Sequence, residues 1–137
     1  MASGIEIASY DPKKVNVIVN GKVITGFAAD GVIELTRNED IVTTVVGAKG
    51  DVAYNENANE SGQVIIHLLG SSSSLPYLRS LAVKRTEIQL TITEANDVGA
   101  VQVAEERCRI IKPPDLKRAK EVGTEDVTIF IPTLNYR

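Results

Sequence analysis

A mainly β domain, a sandwich or barrel carrying one α-helix, is what this sequence predicts, and three observations predict it. Apolar residues make up 43% of the chain but aromatics only 4%, with no Trp, so the core must be built from Val, Ile and Leu. The β-branched members of that set suit a pleated, half-buried surface better than a helix. Eight or nine short apolar segments are separated by turn residues, and helical spacing of apolar residues recurs at one place only.

The segments follow in order. Met1–Asp11 is short and mixed and reads as an N-terminal arm. Val15–Val19 (V-N-V-I-V) is a strand, closed by Asn20-Gly21, a pair that tolerates positive φ and favours a two-residue hairpin. Val23–Phe27 is the return strand, with Gly26 marking a bulge or a close backbone approach. After the turn Asp30-Gly31, Ile33–Arg37 places Ile33 and Leu35 on one face and Glu34 and Thr36 on the other. Ile41–Val46 is a fourth strand, apolar on both faces.

Residues 47–62 read differently. Gly47, Gly50 and Gly62 flank the polar run Asn55 to Ser61, and only Val52–Tyr54 has strand character. The expectation is a long exposed loop, of the kind that is usually functional or disordered. Val64–Leu69 is then a clear strand. Ser73 or Ser74 caps a helix with Pro76 in its first turn, and Leu75, Leu78, Leu81 and Ala82 recur at helical spacing to about Lys84. Ile88–Thr93 alternates strictly, and Asn96 to Gly99 is a turn. Val101–Ala104, Arg107–Ile111 and Val127–Ile131 are further strands, with Leu116–Val122 a short helix or connector. No period of 20–50 residues marks a repeat.

A length of 137 residues fits one domain. A net charge of −3 gives no footing for gripping nucleic acid through its phosphates, which needs clustered Lys and Arg. One cysteine, Cys108, makes neither an internal disulfide nor a cysteine-based zinc site, and is expected to be a small buried residue or an inert thiol. No segment reaches the length of a membrane span and none reads as a secretion signal, so assembly in the cytoplasm is expected.

The search for chemistry returns little. His67 is the single histidine and lacks a nucleophile partner, so a structural or interfacial role is expected. Arg37-Asn38-Glu39-Asp40 is the densest charged motif. It reads as a polar turn with an ion-pairing arginine, because neighbouring carboxylates on a strand point to opposite faces. The basic residues Arg107, Arg109, Lys112, Lys117, Arg118 and Lys120 are interleaved with Glu105, Glu106, Asp115 and Glu121, a mixed surface rather than a nucleic-acid groove. Gly47-Ala48-Lys49-Gly50 lacks the spacing of a phosphate loop. No catalytic residue, metal ligand or cofactor site is expected.

The order and spacing of several pieces carry more. They are Tyr10-Asp11-Pro12-Lys13-Lys14-Val15, Gly21–Phe27, Arg37-Asn38-Glu39-Asp40, Gly47-Ala48-Lys49-Gly50-Asp51-Val52-Ala53 and Ser61-Gly62. The helical stretch Ser73–Leu81 and Cys108-Arg109-Ile110-Ile111-Lys112-Pro113-Pro114-Asp115 complete the set. Together they cover most of the chain, and in this order the sequence resembles the tail tube proteins of bacteriophages with contractile tails.

The resemblance implies a structural role in a virion. Six subunits would form a ring whose sheets join into one continuous inner barrel. Rings would stack inside a contractile sheath, in contact with tape-measure and baseplate proteins, and DNA would pass through the lumen during ejection without specific binding. Residues 47–62 would be the element reaching a neighbouring ring or subunit, through Gly47, Lys49, Asp51, Tyr54, Asn55, Glu56, Asn57, Asn59 and Glu60. Glu34, Thr36, Asn16 and Lys22 are the candidates for a polar, neutral-to-acidic lumen. A tube subunit of a phage-derived contractile injector is the alternative within the same class. A small ligand-binding β-sandwich is the alternative outside it, disfavoured by the scarcity of aromatics.

Overall fold

The computed structural model describes residues 15–29, 32–94, 102–113 and 123–134. The arm 1–11, the turns at residues 30–31 and 96–99, and the connector 116–122 fall outside them. Nine strands and one helix are described: β1 (Val15–Val19), β2 (Lys22–Val23), β3 (Ile33–Arg37), β4 (Val42–Val46), β5 (Val52–Glu56), β6 (Gly62–Leu69), α1 (Ser74–Lys84), β7 (Ile88–Glu94), β8 (Gln102–Lys112) and β9 (Thr124–Ile131). Seven strands form one antiparallel sheet in the order β2-β1-β7-β8-β9-β6-β3, and β4 and β5 pair only with each other. The mainly β architecture with one helix is as the sequence predicts.

Alternation builds the core. Val17, Val19, Leu90, Ile92, Val103, Cys108, Val64, Ile66, Leu68, Val127, Ile129 and Ile131 all turn to one face, where α1 adds Leu75, Leu78 and Leu81. One face of seven strands can be buried this way only if the sheet closes over itself, and β8 supplies the corner. Its first part pairs with β7 as far as Ile88↔Cys108, and its last part pairs with β9 from Arg109↔Phe130. Between Leu90↔Glu105 and Ile88↔Cys108 there is one residue more on β8 than on β7. Arg107, with φ 63°, sits in this bulge. A bulge bends its strand and sharpens the local twist. The two strands expected over 101–104 and 107–111 are therefore one bent strand.

The turn at Asn20-Gly21 forms as predicted, with φ 50° and 81°. The return strand is shorter than the expected 23–27. Ile24 N–H still donates to Val17 O at 2.9 Å, after which the chain leaves the ladder, and Gly26 (φ 81°) lies where a Cβ would be 2.7 Å from the Cβ and Oγ of Ser72. Ser73 is the N-cap residue, one of the two expected, but its side chain makes no capping bond; Ser72 supplies one instead, its hydroxyl accepting the Ser74 N–H at 3.2 Å and donating to the Thr25 carbonyl at 2.5 Å. The helix ends on Arg85 in the left-handed conformation, whose N–H donates to the Ala82 carbonyl.

Candidate functional site

The long loop expected over 47–62 is instead half of a hairpin. β4 and β5 pair in register from Val42↔Glu56 to Val46↔Val52. The reversal is tight: Gly47 N–H donates to Asp51 O at 2.7 Å, Gly50 N–H donates to Gly47 O at 3.0 Å, and Gly50 takes φ 91°. Only 57–61 remains irregular. The sequence hid this hairpin because the signal used, alternation of apolar and polar residues, requires one buried face. Here neither face is buried. Val45 (55% exposed), Val46 (65%), Val52 (53%) and Tyr54 (71%) are all open. The strand expected over Ile41–Val46, apolar on both faces, forms over Val42–Val46, but its residues from Thr43 to Val46 are exposed. The symmetric placement of Val45-Val46 and Val52-Ala53 about a glycine turn was the available signal.

The hairpin base is tied down by the motif Arg37–Asp40. Asn38 donates from its backbone to the Ser61 carbonyl and from Nδ2 to Ser61 Oγ, both at 3.0 Å. Asn57 Nδ2 donates to the Asp40 carbonyl at 2.9 Å and to Glu39 Oε1 at 3.4 Å, while Asn59 Nδ2 donates to Glu39 Oε2. The expected ion pair of Arg37 is replaced by a backbone contact, since Arg37 Nη1 donates to the Leu134 carbonyl at 3.0 Å. Leu134 in turn donates its N–H to Glu60 O at 2.9 Å and covers Gly62. The motif is thus a clamp between the sheet and the hairpin. Glu39 serves as an acceptor for two asparagines, and Asp40 contributes its carbonyl.

The four residues assigned to a lumen do not share one place. Glu34 and Thr36 lie on β3, at one end of the seven-strand order, and Asn16 lies on β1 near the other. All three are exposed and alternate with core-facing residues, so they occupy the face of the sheet away from the core. Lys22 does not. Its cross-strand partner is Val19, which faces the core, and its Nζ stands 4.4 Å from the ring centroid of Tyr77 on α1. It is held on the helix side by a cation–π contact.

His67 sits on the same outer face as Glu34. Its Nδ1 is 2.7 Å from Asp126 Oδ1 on β9, and its Nε2 is 3.3 Å from Glu34 Oε2 on β3. Only the imidazolium can donate from both nitrogens. The Asp126 hydrogen bond, opposed by partial burial and helped by both carboxylate charges, therefore holds the histidine above its ordinary value of 6.5. Cys108 is buried, and desolvation with the Glu105 charge pushes its thiol up to about 12. Among the described residues no group of three or more His, Cys, Asp or Glu is placed to hold a metal ion. No helix among them is long and apolar enough to cross a membrane.

Two sheet edges are at least partly open among the described residues. Among the described residues β3 pairs only with β6, with Phe27 bridging Leu68 of β6 past its end, and β1 is covered at Ile18–Val19 by β2 and at Val17 by the Ile24 N–H, which leaves Val15 and Asn16 open. An open edge is a template for pairing with another chain.

No family model matches the chain. No curated protein matches it either. Solved structures do. A chain from the PVC sheath/tube terminator of an extracellular contractile injection system, in the extended state, aligns with TM-score 0.60 at 10% identity, covering 98% of this chain and 99% of that one. A chain of the PVC sheath-tube complex aligns with TM-score 0.59 at 9% identity, covering 94% and 91%. One from the tube-terminating cap of the anti-feeding prophage aligns with TM-score 0.58 at 9% identity, covering 98% and 95%. Over nearly its whole length, the chain therefore shares its fold with components of contractile injection systems.

Proposed function

We propose that this chain is the repeating subunit of a tail tube, a structural protein that forms six-membered rings stacked into a hollow conduit within a contractile sheath. The observation that carries this reading is the projecting hairpin. A two-stranded hairpin is marginal alone in water, and this one exposes apolar residues on both faces. Such a surface is suited to burial against another subunit. The two open edges support the rest. Pairing the β3 edge of one copy with the β1–β2 edge of the next is a head-to-tail contact, which closes into a ring when the rotation allows. It would bring Glu34 and Thr36 of one copy beside Asn16 of its neighbour on one continuous polar face, the face offered to passing DNA or another cargo. Lys22, beside Tyr77 on the helix side, is left out of this proposed lumen.

Negative-stain electron microscopy of the purified protein across a concentration series tests this. Rings and tubes with six-fold symmetry and a central channel are expected. Monomers at every concentration, with and without an added baseplate, would sink it. A second reading is favoured by one observation: two of the three similar structures contain tube ends. A terminating subunit would form single rings that never lengthen and would halt the growth of other tubes. A phage and a phage-derived injector are separated by the neighbouring genes, since capsid and terminase genes accompany only the first.

A further inference from the structure

A groove beside the C-terminal end of α1 is a further open surface among the described residues. Beyond Cys108, β8 has left β7 and among the described residues pairs only with β9, so no described strand covers its side facing the helix end. The resulting open groove, of about 680 Å³, is lined by Val83, Arg85, Arg109, Ile111, Pro113 and Phe130. Val83 is 76% exposed and Ile111 57%. Its apolar floor is thus flanked by two guanidinium groups. Glu87 pairs with Arg107 at 2.9 Å, and Arg109 also acts on its charge.

We propose that this groove receives the β4–β5 hairpin of a second copy of the chain. Cross-strand pairs share a face, so Val46, Val52, Thr44, Tyr54, Val42 and Glu56 form one side of the hairpin. That side is an apolar strip with a carboxylate at its base and Asp51 at its tip. Around it the segment carries Glu39, Asp40, Glu56 and Glu60 against a single Lys49. An acidic, apolar finger and a basic, apolar groove are complementary, and opposite charge at a rim steers docking and fixes register. The finger cannot serve its own groove. Its base is clamped at 38–41 and 57–61, and β4 and β5 make their substantial contacts only with each other. Finger and groove are different surfaces of one chain, so the contact is head-to-tail and can propagate from copy to copy. The inference rests on the tube reading and adds to it the address at which the hairpin arrives.

The test uses the buried state of Cys108, which leaves engineered thiols as the reactive ones among the described residues. Chains carrying Tyr54→Cys and chains carrying Val83→Cys are mixed under mild oxidation and run on a non-reducing gel. A crosslinked dimer is expected in the mixture, well above either variant alone. In parallel, Arg85→Glu/Arg109→Glu is expected to weaken self-association at least ~10-fold by sedimentation velocity, because it sets like charges face to face. Mixing that variant with chains carrying Asp51→Arg/Glu56→Arg should restore association. All these positions are exposed, and thermal melting confirms that each variant folds. If the unmodified protein forms tubes while the groove reversal leaves association unchanged and no mixed crosslink appears, the groove is overturned and the tube reading stands. If the unmodified protein forms no rings or tubes even on a baseplate, the tube reading itself fails, and the groove inference with it.

Discussion

At the scale of single residues, the most consequential polar group is one that stands in an apolar position. Glu125 occupies a core-facing place in the alternation of β9 and its side chain is 2% exposed, yet it carries a carboxyl group, which meets Arg79 Nη2 of α1 at 2.9 Å. Removing one partner of a buried pair strands the other charge, which typically costs about 3–5 kcal/mol. Arg79 is 28% exposed and can partly rehydrate, so Glu125→Ala should cost rather less, about 2–3 kcal/mol, read as a shift of the urea midpoint at unchanged slope. His67 makes stability depend on pH. Its folded value lies above 6.5, so the stability it lends is fully present below that value and is lost as pH rises through the folded one. Both carboxylates are more than half exposed, which keeps the contribution small. His67→Gln should flatten the dependence of melting temperature on pH over that window, and the imidazole titration followed by NMR should lie above the free value. Cys108 gives a sharper contrast. A thiol held near 12 has a thiolate fraction roughly a thousandfold below that of a free cysteine at neutral pH, so a thiol reagent should react only after denaturation.

At the scale of elements, the sequence was legible wherever one face of a strand is buried inside the same chain. β1, β3, β6 and β7 were readable to within two residues because Val17, Leu35, Ile66 and Leu90 alternate with polar neighbours. It was illegible where that condition fails. β8 appeared as two strands because Glu105-Glu106-Arg107 interrupts the alternation at the bulge. Only Val52–Tyr54 of β5 showed strand character, and its pairing with β4 stayed hidden because the burial pattern of Val52–Glu56 is exposed throughout. The clamp below that hairpin was seen as a charged turn, and its real partners, Asn57, Asn59 and Ser61, lie about twenty positions away. The clamp and the sheet should separate on mutation. Glu39→Ala removes the acceptor of two exposed asparagine contacts. It should raise hydrogen exchange across 42–56 while changing global stability by no more than ~0.5 kcal/mol. Gly62→Ala acts on the sheet itself. A Cβ there would meet Leu134 Cδ2 and come within 2.7 Å of the Thr36 carbonyl, pushing β3 and the 132–134 segment off β6. Overpacking of that kind costs about 1–3 kcal/mol and should appear as a lowered melting temperature.

At the scale of the whole molecule, the chain divides into a body that accounts for its own stability and an appendage that does not. The buried residues all belong to the seven-strand sheet, α1 and the segments flanking them, and none lies in β4 or β5. Shortening the hairpin, by joining Val42 to Glu56 through a two-residue Asn-Gly turn, removes no core contact and leaves the clamp of Glu39 with Asn57 and Asn59 in place. The body should therefore melt within a few degrees of the full chain, about the shift expected from less than 1 kcal/mol. Assembly should respond differently. If rings close through sheet edges and grow through the hairpin, the shortened protein should stop at single rings under conditions in which the full chain lengthens into tubes. Sedimentation and microscopy at matched concentrations distinguish the outcomes. Tubes of normal length from the shortened chain would show that stacking runs through another surface. Loss of rings as well as tubes would place the hairpin within the ring rather than between rings. A large fall in melting temperature would mean that the hairpin stabilises the body after all, against the exposure of Val46, Val52 and Tyr54.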